Sequence, residues 1–225
     1  MTQPDDSIVY IVDDDHRVRD ALLMLLSSFD MRAVTFGSAT EYLAYPKPDV
    51  PACLVLDVNL PDINGLDLQS QIVLGNPPDI VFVTGHGDIP SSVRAMKTGA
   101  VDFLTKPFRE ADLMRAIEAA LARNRESRKK RAERADLQLR YAQLTPRERE
   151  VLPLVVSGLL NKQAAAELGI SEVTLQIHRG NIMKKMGAAS LPELVKMAAV
   201  LELPVTHSRR APRGSPHWSR DSGGA

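Results

Sequence analysis

The first half of the chain alternates between short apolar runs and stretches with helical periodicity. The apolar runs cover Ile8–Val12, 31–36, 52–56, 80–83 and 101–104, and the helical stretches cover 16–29, 39–43, 66–74, 89–98 and 110–122. Strands that alternate with helices are typical of a parallel sheet covered on both faces. We therefore predict a doubly wound α/β domain in residues 6–122.

From residue 144 onward the pattern is wholly helical. Helices are predicted from 146 to about 157, at 161–168, at 172–186 and at 191–203, and Thr145, Asn161 and Ser171 are the predicted caps of the first three. Gly169 allows a tight turn between the second and third helices. We predict an all-α domain in residues 144–203.

Two further segments differ from these domains in composition. Residues 123–143 are charged, lack Gly and Pro and are rich in helix formers, so we predict a solvated helical linker, with a weak coiled-coil seam as the alternative. Residues 204–225 combine Pro, Gly, Ser and Arg with almost no apolar residues, which predicts a disordered tail. That tail is either inert or uses its Arg residues to touch phosphates.

Charge is split between the halves, although the 225 residues carry no net formal charge. Residues 1–122 hold 9 Lys or Arg and 18 Asp or Glu, whereas residues 123–225 hold 19 and 10. The basic half is therefore a candidate nucleic-acid binder, and a solvated basic surface is the alternative.

The sequence also bears on the compartment. It contains no apolar run as long as the roughly 18 residues of a membrane span, and acids stand near the N-terminus where a secretion signal would carry Lys or Arg. The single Cys53 lies in an apolar run and is predicted to be a small core residue. We expect a cytoplasmic protein with no membrane partner.

Polar residues stand where several predicted strands end. Asp13 and Asp14 follow the first strand, Asp57 follows the third, Thr84 ends the fourth and Lys106 follows the fifth. The carboxyl ends of parallel strands meet at one edge of a sheet, where open α/β sheets bind ligands. Three carboxylates at one edge need a cation, and oxygen ligands of this kind suit Mg²⁺.

Each acid also has a purely structural interpretation. Acids can cap helices, as Asp15 can for the first predicted helix. The combination of Asp-Asp, Asp, Thr and Lys-Pro in strand order favours the metal site.

The motifs IVDDD, LDVNLPDINGLDL, VFVTGHGD and AMKTGAVDFLTKPF resemble the receiver domain of two-component response regulators. The resemblance implies a (βα)5 fold in which Asp57 is the phosphoacceptor and Thr84 and Lys106 contact the phosphoryl oxygens. It implies Mg²⁺ ligands from Asp14, Asp57 and the backbone carbonyl of Asn59, with Asp13 acting through a water molecule. Phe103 takes the place of the aromatic switch residue that works with Thr84, without the hydroxyl of the Tyr often found there.

The segment LTPREREVLPLVVSGLLNKQAAAELGISEVTLQIHRGNIMKKMG resembles the helix-turn-helix domain of LuxR-type regulators, and both halves together resemble the FixJ-type (NarL-like) branch. In helix 172–186 we predict that Val173, Leu175, Ile182 and Met186 face the core. The candidate phosphate-contacting residues are Lys162, Ser171, Thr174, His178 and Lys184. The candidates on or near the groove side are Gln176, Ile177 and Gly180, and Arg179 between them is a further DNA-binding candidate.

Two of these positions leave alternatives open. Gln176 stands where family members commonly carry Lys, and it can bond an adenine edge or read nothing. Gly180, which costs about 1 kcal/mol inside a helix, can allow close approach to DNA or leave an empty spot.

The two resemblances together imply a DNA-binding response regulator rather than an enzyme. A histidine kinase would phosphorylate Asp57, and the receiver would dimerise through the face of its fourth helix and fifth strand. The dimer would bind promoter DNA and, with RNA polymerase, regulate and activate transcription. The alternatives are a phosphohydrolase that uses Asp57 with Mg²⁺, and a constitutive DNA-binding protein whose receiver only dimerises.

Overall fold

The computed structural model describes residues 6–72, 76–85 and 89–204. The chain divides into two compact units, Met1–Arg131 and Ala132–Ala225. Their described parts are called the α/β unit and the helical unit below. The boundary lies within one long helix, so the predicted linker 123–143 contributes to both units.

The α/β unit is a five-stranded parallel sheet with helices between the strands. The strands run in the order β2-β1-β3-β4-β5. They are β1 (Ile8–Val12), β2 (Ala33–Phe36), β3 (Ala52–Asp57), β4 (Asp79–Thr84) and β5 (Asp102–Thr105). The helices are α1 (His16–Ser28), α2 (Ala39–Ala44), α3 (Gly65–Gln71), α4 (Ile89–Lys97) and α5 (Glu110–Ala142). The predicted fold class is confirmed for this unit.

Alternate residues of the central strands fill two hydrophobic layers, one on each face of the sheet. On β3, Leu54 and Leu56 belong to one layer, and Cys53 and Val55 belong to the other. Every residue of β3 is buried, as expected for a strand in a parallel sheet covered on both sides. Cys53 is completely buried, which confirms its predicted place in the core.

The strand register determines which residues meet at the carboxyl edge. Val12 pairs with Leu56. Asp57 pairs with Val83, the residue before Thr84. Asp13, which follows β1, therefore lies beside Asp57 at the end of β3 and Thr84 at the end of β4.

The helical unit contains α6 (Pro146–Val156), α7 (Asn161–Leu168), α8 (Glu172–Met186) and α9 (Leu191–Val200), together with the last part of α5. Thr145 caps α6 in a capping box with Glu148, as predicted. Gly169 ends α7 with a φ of 64°, the left-handed conformation that glycine adopts without strain. The all-α class predicted for this unit is confirmed.

The long helix α5 packs at both ends of the predicted linker. Asn124 is buried, and its side-chain oxygen accepts a hydrogen bond from the Ala52 N–H. Arg128 pairs with Asp49 at 2.6 Å. Leu137 is buried in the core of the helical unit, and Arg140 donates to the Met186 carbonyl at 3.0 Å. Residues 123–143 thus carry packing contacts of their own.

Some predicted boundaries and orientations are wrong. Strand β2 begins at Ala33 rather than at residue 31, and α3 ends at Gln71. Asn161 does not cap α7. Asn161 is already the first residue of the helix, so the N-cap is Leu160. The N–H of Leu160 donates to the side chain of Gln163.

Val173 does not face the core. Its side chain is 67% exposed, because α8 carries apolar residues on two faces and the sequence pattern alone did not distinguish them. Leu175, Ile182 and Met186 are completely buried, as predicted.

Some expectations lie partly or wholly outside the described residues. They are residues 73–74 of the helix predicted at 66–74, the last three residues of the TGHGD motif and, apart from Pro204, the predicted tail. No helix of the described ranges combines the length and the apolar character needed to cross a membrane.

Candidate functional site

Three carboxylates meet at the carboxyl edge of the sheet. Asp13 and Asp14 follow β1, and Asp57 is the last residue of β3. One oxygen of each lies within 4.8 Å of the others. Asp13 and Asp57 are buried, whereas Asp14 is exposed. The cluster is therefore open to solvent on one side and closed at its base.

Lys106 supplies a cation to the base of this cluster. Its Nζ donates to Asp13 Oδ2 at 2.5 Å and to Asp57 Oδ2 at 2.7 Å. The backbone N–H of Lys106 donates to the Thr84 carbonyl at 2.8 Å, which fixes the residue directly beyond β4 and β5. One lysine thus joins the ends of β1, β3 and β4, as the strand order predicts.

The electrostatics of the pocket follow from this bridge. Burial raises the pKa of Asp13 above its ordinary value, although the hydrogen bond from Lys106 opposes the rise. Burial lowers the pKa of Lys106, but its hydrogen bonds to Asp13 and Asp57 outweigh burial, so the pKa is raised overall. Lys106 therefore stays charged at neutral pH.

The donor set fits a divalent cation. Three ionised carboxylates and one ammonium sum to a formal charge of −2, which one Mg²⁺ neutralises. All the donor atoms are hard oxygens, and the exposed side at Asp14 leaves room for the waters that Mg²⁺ retains. Receiver domains typically bind Mg²⁺ through such an acidic cluster.

Backbone contacts hold Asp57 at the end of its strand. The Asn59 N–H donates to Asp57 Oδ1 at 3.0 Å, and the Gly65 N–H donates to the Val58 carbonyl at 2.8 Å. A Cβ on Gly65 would lie 2.3 Å from the Asp57 carbonyl oxygen. The absence of a side chain at Gly65 is what lets α3 start against the backbone of Asp57.

Two more supporting residues were missed in the sequence. Arg19 on α1 donates to the carbonyls of Asp13 and Asp14 at 2.7 and 3.1 Å. Asp62, in the loop after β3, accepts from the Thr40 N–H at 2.8 Å and from its hydroxyl at 2.7 Å. The position of Arg19 one turn after the Asp15 cap was a weak signal, and nothing in the local pattern pointed from Asp62 to Thr40.

Thr84 lies on β4, the strand beside Asp57, and Phe103 lies on β5, one strand further out. Thr84 is the last residue of β4 and is completely buried. Phe103 on β5 is half-buried, and its ring centroid lies 6.1 Å from that of Phe82. Thr84 is therefore adjacent to the acidic pocket, and Phe103 reaches the hydrophobic layer beneath it.

The helical unit presents one exposed face of α8. Ser171 caps the helix and accepts from the Thr174 N–H at 3.1 Å, so both hydroxyl side chains lie at its N-terminus. Six exposed residues of α8 beyond its first residue share one side of the helix. They are Val173, Gln176, Ile177, Gly180, Asn181 and Lys184.

The remaining DNA-binding candidates lie beside this face. Lys162 is exposed in the first turn of α7, and His178 is half-buried. Arg179 is half-buried and donates to the Asn161 side chain at 3.1 Å. Asn161 therefore links α7 to α8.

Comparisons with known proteins match both units. Residues 9–118 match the response regulator receiver domain, and residues 142–198 match the bacterial regulatory proteins of the LuxR family. The chain is 48% identical over 205 residues to Nodulation protein W of Bradyrhizobium diazoefficiens, covering 91% of this chain and 90% of that protein. It is 43% identical over 196 residues to Transcriptional regulatory protein FixJ of Azorhizobium caulinodans, covering 87% and 93%.

A solved structure agrees with these matches. The response regulator StyR superposes with a TM-score of 0.73 at 46% identity, covering 86% of this chain and 98% of that one. The family implies a histidine kinase and DNA as partners. The chain belongs to the two-component response regulators that join a receiver domain to a LuxR-family helix-turn-helix domain and regulate transcription.

Proposed function

We propose that Asp57 accepts a phosphoryl group from a sensor histidine kinase, and that this event drives dimerisation, promoter binding and activation of transcription. The observation that carries the proposal is the bridge from Lys106 to Asp13 and Asp57. It holds one buried carboxylate oxygen beside a fixed cation in a pocket open to solvent at Asp14. A carboxylate held in this way is arranged for nucleophilic attack.

The phosphoryl transfer from the kinase to Asp57 forms one bond and breaks one. One oxygen of Asp57 forms a bond to phosphorus while the P–N bond of the kinase phosphohistidine breaks. The electron pair goes to the imidazole nitrogen, which takes a proton from solvent. Lys106 and Thr84 then contact the phosphoryl oxygens, since both lie at the edge of the sheet beside Asp57.

Asp14, Asp57 and the Asn59 carbonyl would hold Mg²⁺, with Asp13 acting through water. Bound there, Mg²⁺ supplies neutralisation of the charge on the transferring group. The exposed position of Asp14 supports this arrangement.

Phosphorylation replaces a charge of −1 on Asp57 by about −2. Thr84 would move to bond the new oxygens, and Phe103 would turn into the space that it leaves. The half-buried position of Phe103 supports this role, because a ring at the rim of the core can move inward without breaking the layer around Phe82.

The face of α4 and β5 supports dimerisation. Within α4, Ala95 alone is buried, whereas Ile89, Val93 and Met96 are 80%, 45% and 48% exposed. Exposed apolar side chains at helical spacing are typical of an association surface. Pairing two copies would place two α8 helices on half-sites about one helical turn apart.

In the helical unit, Lys162, Ser171, Thr174, His178 and Lys184 would contact phosphates. Gln176, Ile177 and Gly180 would face the bases, and Arg179 on the same helix would bind DNA beside them while its hydrogen bond to Asn161 ties α8 to α7. A helix N-terminus with capped, outward-facing N–H groups favours a phosphate there. The bound dimer would act on RNA polymerase at the promoter.

Sedimentation with a phosphoryl mimic tests the proposal. The protein is run with Mg²⁺ and with or without beryllofluoride, beside Asp57→Asn and a matched surface control, Asp20→Asn. We expect a shift from monomer to dimer in the parent and the control only. An equal shift in Asp57→Asn, or no shift in the parent once beryllofluoride binding is verified, would contradict it.

A second assay separates a regulator from a phosphohydrolase. The protein is incubated with Mg²⁺ and small phosphate esters, and released phosphate is counted against protein. We expect no release beyond the slow hydrolysis of phosphoryl-Asp57 itself. Release in large excess would favour the enzyme.

A further inference from the structure

Helix α8 carries apolar residues on opposite faces. Leu175, Ile182 and Met186 are completely buried against the rest of the helical unit. Val173 and Ile177 point the other way and are 67% and 59% exposed. A helix that only covered a core would carry polar residues on this side. The two exposed β-branched residues therefore need a second explanation.

Val173, Ile177 and Gly180 form a continuous strip. Their spacing of four and three residues places them on one face of the helix. No atom lies within 4 Å of where a Cβ on Gly180 would stand, so the strip stays open at that end. At 1.5 Å per residue the strip is about 10 Å long. This length matches about three base pairs at 3.4 Å each.

The charge around the strip indicates how the helical unit would hold DNA. Residues 132–204 contain nine Lys or Arg and eight Asp or Glu, a net of +1. Most of the basic surplus of the second half lies in residues 123–131 and 205–225, so residues 132–204 alone attract phosphates weakly and discriminate between sites chiefly through contacts to bases. On the exposed face, Gln176 lies beside the strip, and Lys184 lies beyond it near the end of the helix.

The chemistry of the strip selects one feature of the groove. The floor of the major groove consists of hydrogen-bonding groups apart from the C5-methyl of thymine, which is apolar. Val173 and Ile177 offer methyl groups and no hydrogen bond. If the half-site presented only hydrogen-bonding groups at this place, those groups would lose their hydrogen bonds to water against Val173 and Ile177 and gain none in return.

Building on the proposed function, we propose that Val173 and Ile177 together recognise thymine C5-methyl groups in each half-site. Because Gly180 has no side chain, the bases of the major groove can approach this face of α8 closely one turn further along the helix. Val173 is thus a specificity-determining residue.

The test removes only the methyl groups. The full-length protein, with Mg²⁺ and beryllofluoride, first selects sites from a pool of random duplexes. Each thymine of the selected site is then replaced in turn by deoxyuridine, which keeps every hydrogen bond. We expect at least one position in each half-site where this weakens binding by about fourfold, the effect of one buried methyl group.

The same duplexes are titrated with Val173→Ala and Ile177→Ala. In at least one of these variants the deoxyuridine penalty should disappear at the sensitive position, because the two changes remove the same contact. Val195→Ala is the matched control, since Val195 is 39% exposed on α9, and it should keep the full penalty. Unchanged thermal unfolding of the two α8 variants would show that they fold.

The remaining outcomes separate the two proposals. If a sequence is selected but every deoxyuridine duplex binds like its parent, or both α8 variants keep the full penalty, the recognition of thymine is overturned while the proposed function stands. If no sequence is selected, although beryllofluoride produces the dimer, the proposed sequence-specific binding fails and the inference fails with it.

Discussion

The acidic pocket and the exposed face of α8 are built in opposite ways. In the pocket, Lys106 bridges the carboxylates of Asp13 and Asp57, and Arg19 donates to the backbone carbonyls of Asp13 and Asp14. On the outer face of α8, Val173 and Ile177 are exposed and Gly180 has no neighbour. The pocket is thus held in place by contacts within its own fold, whereas the outer face of α8 is left open to solvent. If the proposed functions are right, a site for chemistry is determined by its fold and a surface for a partner is completed by that partner.

The largest effect is expected for Gly65→Ala. The added Cβ would lie 2.3 Å from the Asp57 carbonyl oxygen, so the backbone at Asp57 must shift. We expect a loss of about 3 kcal/mol in the free energy of unfolding of the α/β unit. Native-state hydrogen exchange of the β3 amides measures this unit separately. Full protection of β3 in the variant would show that the pocket is less tightly determined than its contacts indicate.

A smaller loss is expected for Lys106→Met. The change leaves Asp13 and Asp57 buried without their cation, and we expect a cost of about 2 kcal/mol in EDTA, because Lys106 itself is partly exposed. Adding Mg²⁺ should restore more stability to the variant than to the parent. Urea unfolding in EDTA and in Mg²⁺ measures both effects. Lys97→Met, an exposed lysine of α4, is the control and should change neither.

On the inner side of α8, a buried ion pair should make stability depend on pH. Burial raises the pKa of Glu148, but hydrogen bonds from Lys185 and Thr145 outweigh it, so the pKa is lowered overall. The stabilisation is therefore complete above the ordinary Glu pKa of about 4.3 and is lost as the pH falls through the lower pKa of the folded state. We expect Glu148→Gln to cost about 1 kcal/mol at pH 7.

The measurement is urea unfolding at several pH values between 7 and 3. It is monitored by hydrogen exchange of the α6 and α8 amides, which belong to the helical unit. The difference in the free energy of unfolding between the parent and Glu148→Gln should disappear as the pH falls. Glu150→Gln, on the same helix and more than half exposed, serves as the control. A difference in the free energy of unfolding that stayed constant with pH would mean that Glu148 stabilises the unit through packing rather than through its charge.

The smallest effect is expected for Gly180→Ala, and it has the opposite sign. The site has no neighbour within 4 Å, so a methyl group should stabilise α8 by about 0.8 kcal/mol. Gly158→Ala also meets nothing within 4 Å, but its φ of 79° should make it destabilising by about 1 kcal/mol. Thermal unfolding of both variants compares a methyl group added in a favourable helical conformation with one added where φ is positive, since both methyl groups have free space around them. A destabilised Gly180→Ala would mean that α8 is constrained on its outer face as well.

The pocket could be predicted from the sequence because strand ends determine it. Once the first half was assigned as alternating strands and helices, Asp13, Asp57 and Lys106 had to meet at one edge. The supporting contacts could not be predicted in the same way. The tie from Asp62 to Thr40 joins residues that are 22 apart, and the approach of Gly65 to Asp57 depends on the path of a loop.

The helical unit shows where sequence patterns are ambiguous. Thr145, Gly169 and Ser171 act as predicted, because caps and left-handed turns are local. Val173 was placed on the wrong face because apolar residues on both sides of α8 give the helix no clear phase. Asn161 was mistaken for a cap because a polar residue at a helix start has the same pattern whether it bonds its own backbone or, as here, a neighbouring helix.

The near balance of charge in the helical unit has a consequence for how the protein searches a genome. Wrong sequences hold a protein through phosphates alone, and they outnumber the correct site by about a millionfold or more. Residues 132–204, with a net of +1, add little to that hold, and most of it comes from the Lys and Arg of residues 123–131 and 205–225. Base contacts by α8 then decide where the protein stays, so under the proposed dimerisation the occupancy of a promoter follows the number of copies that the signal has paired.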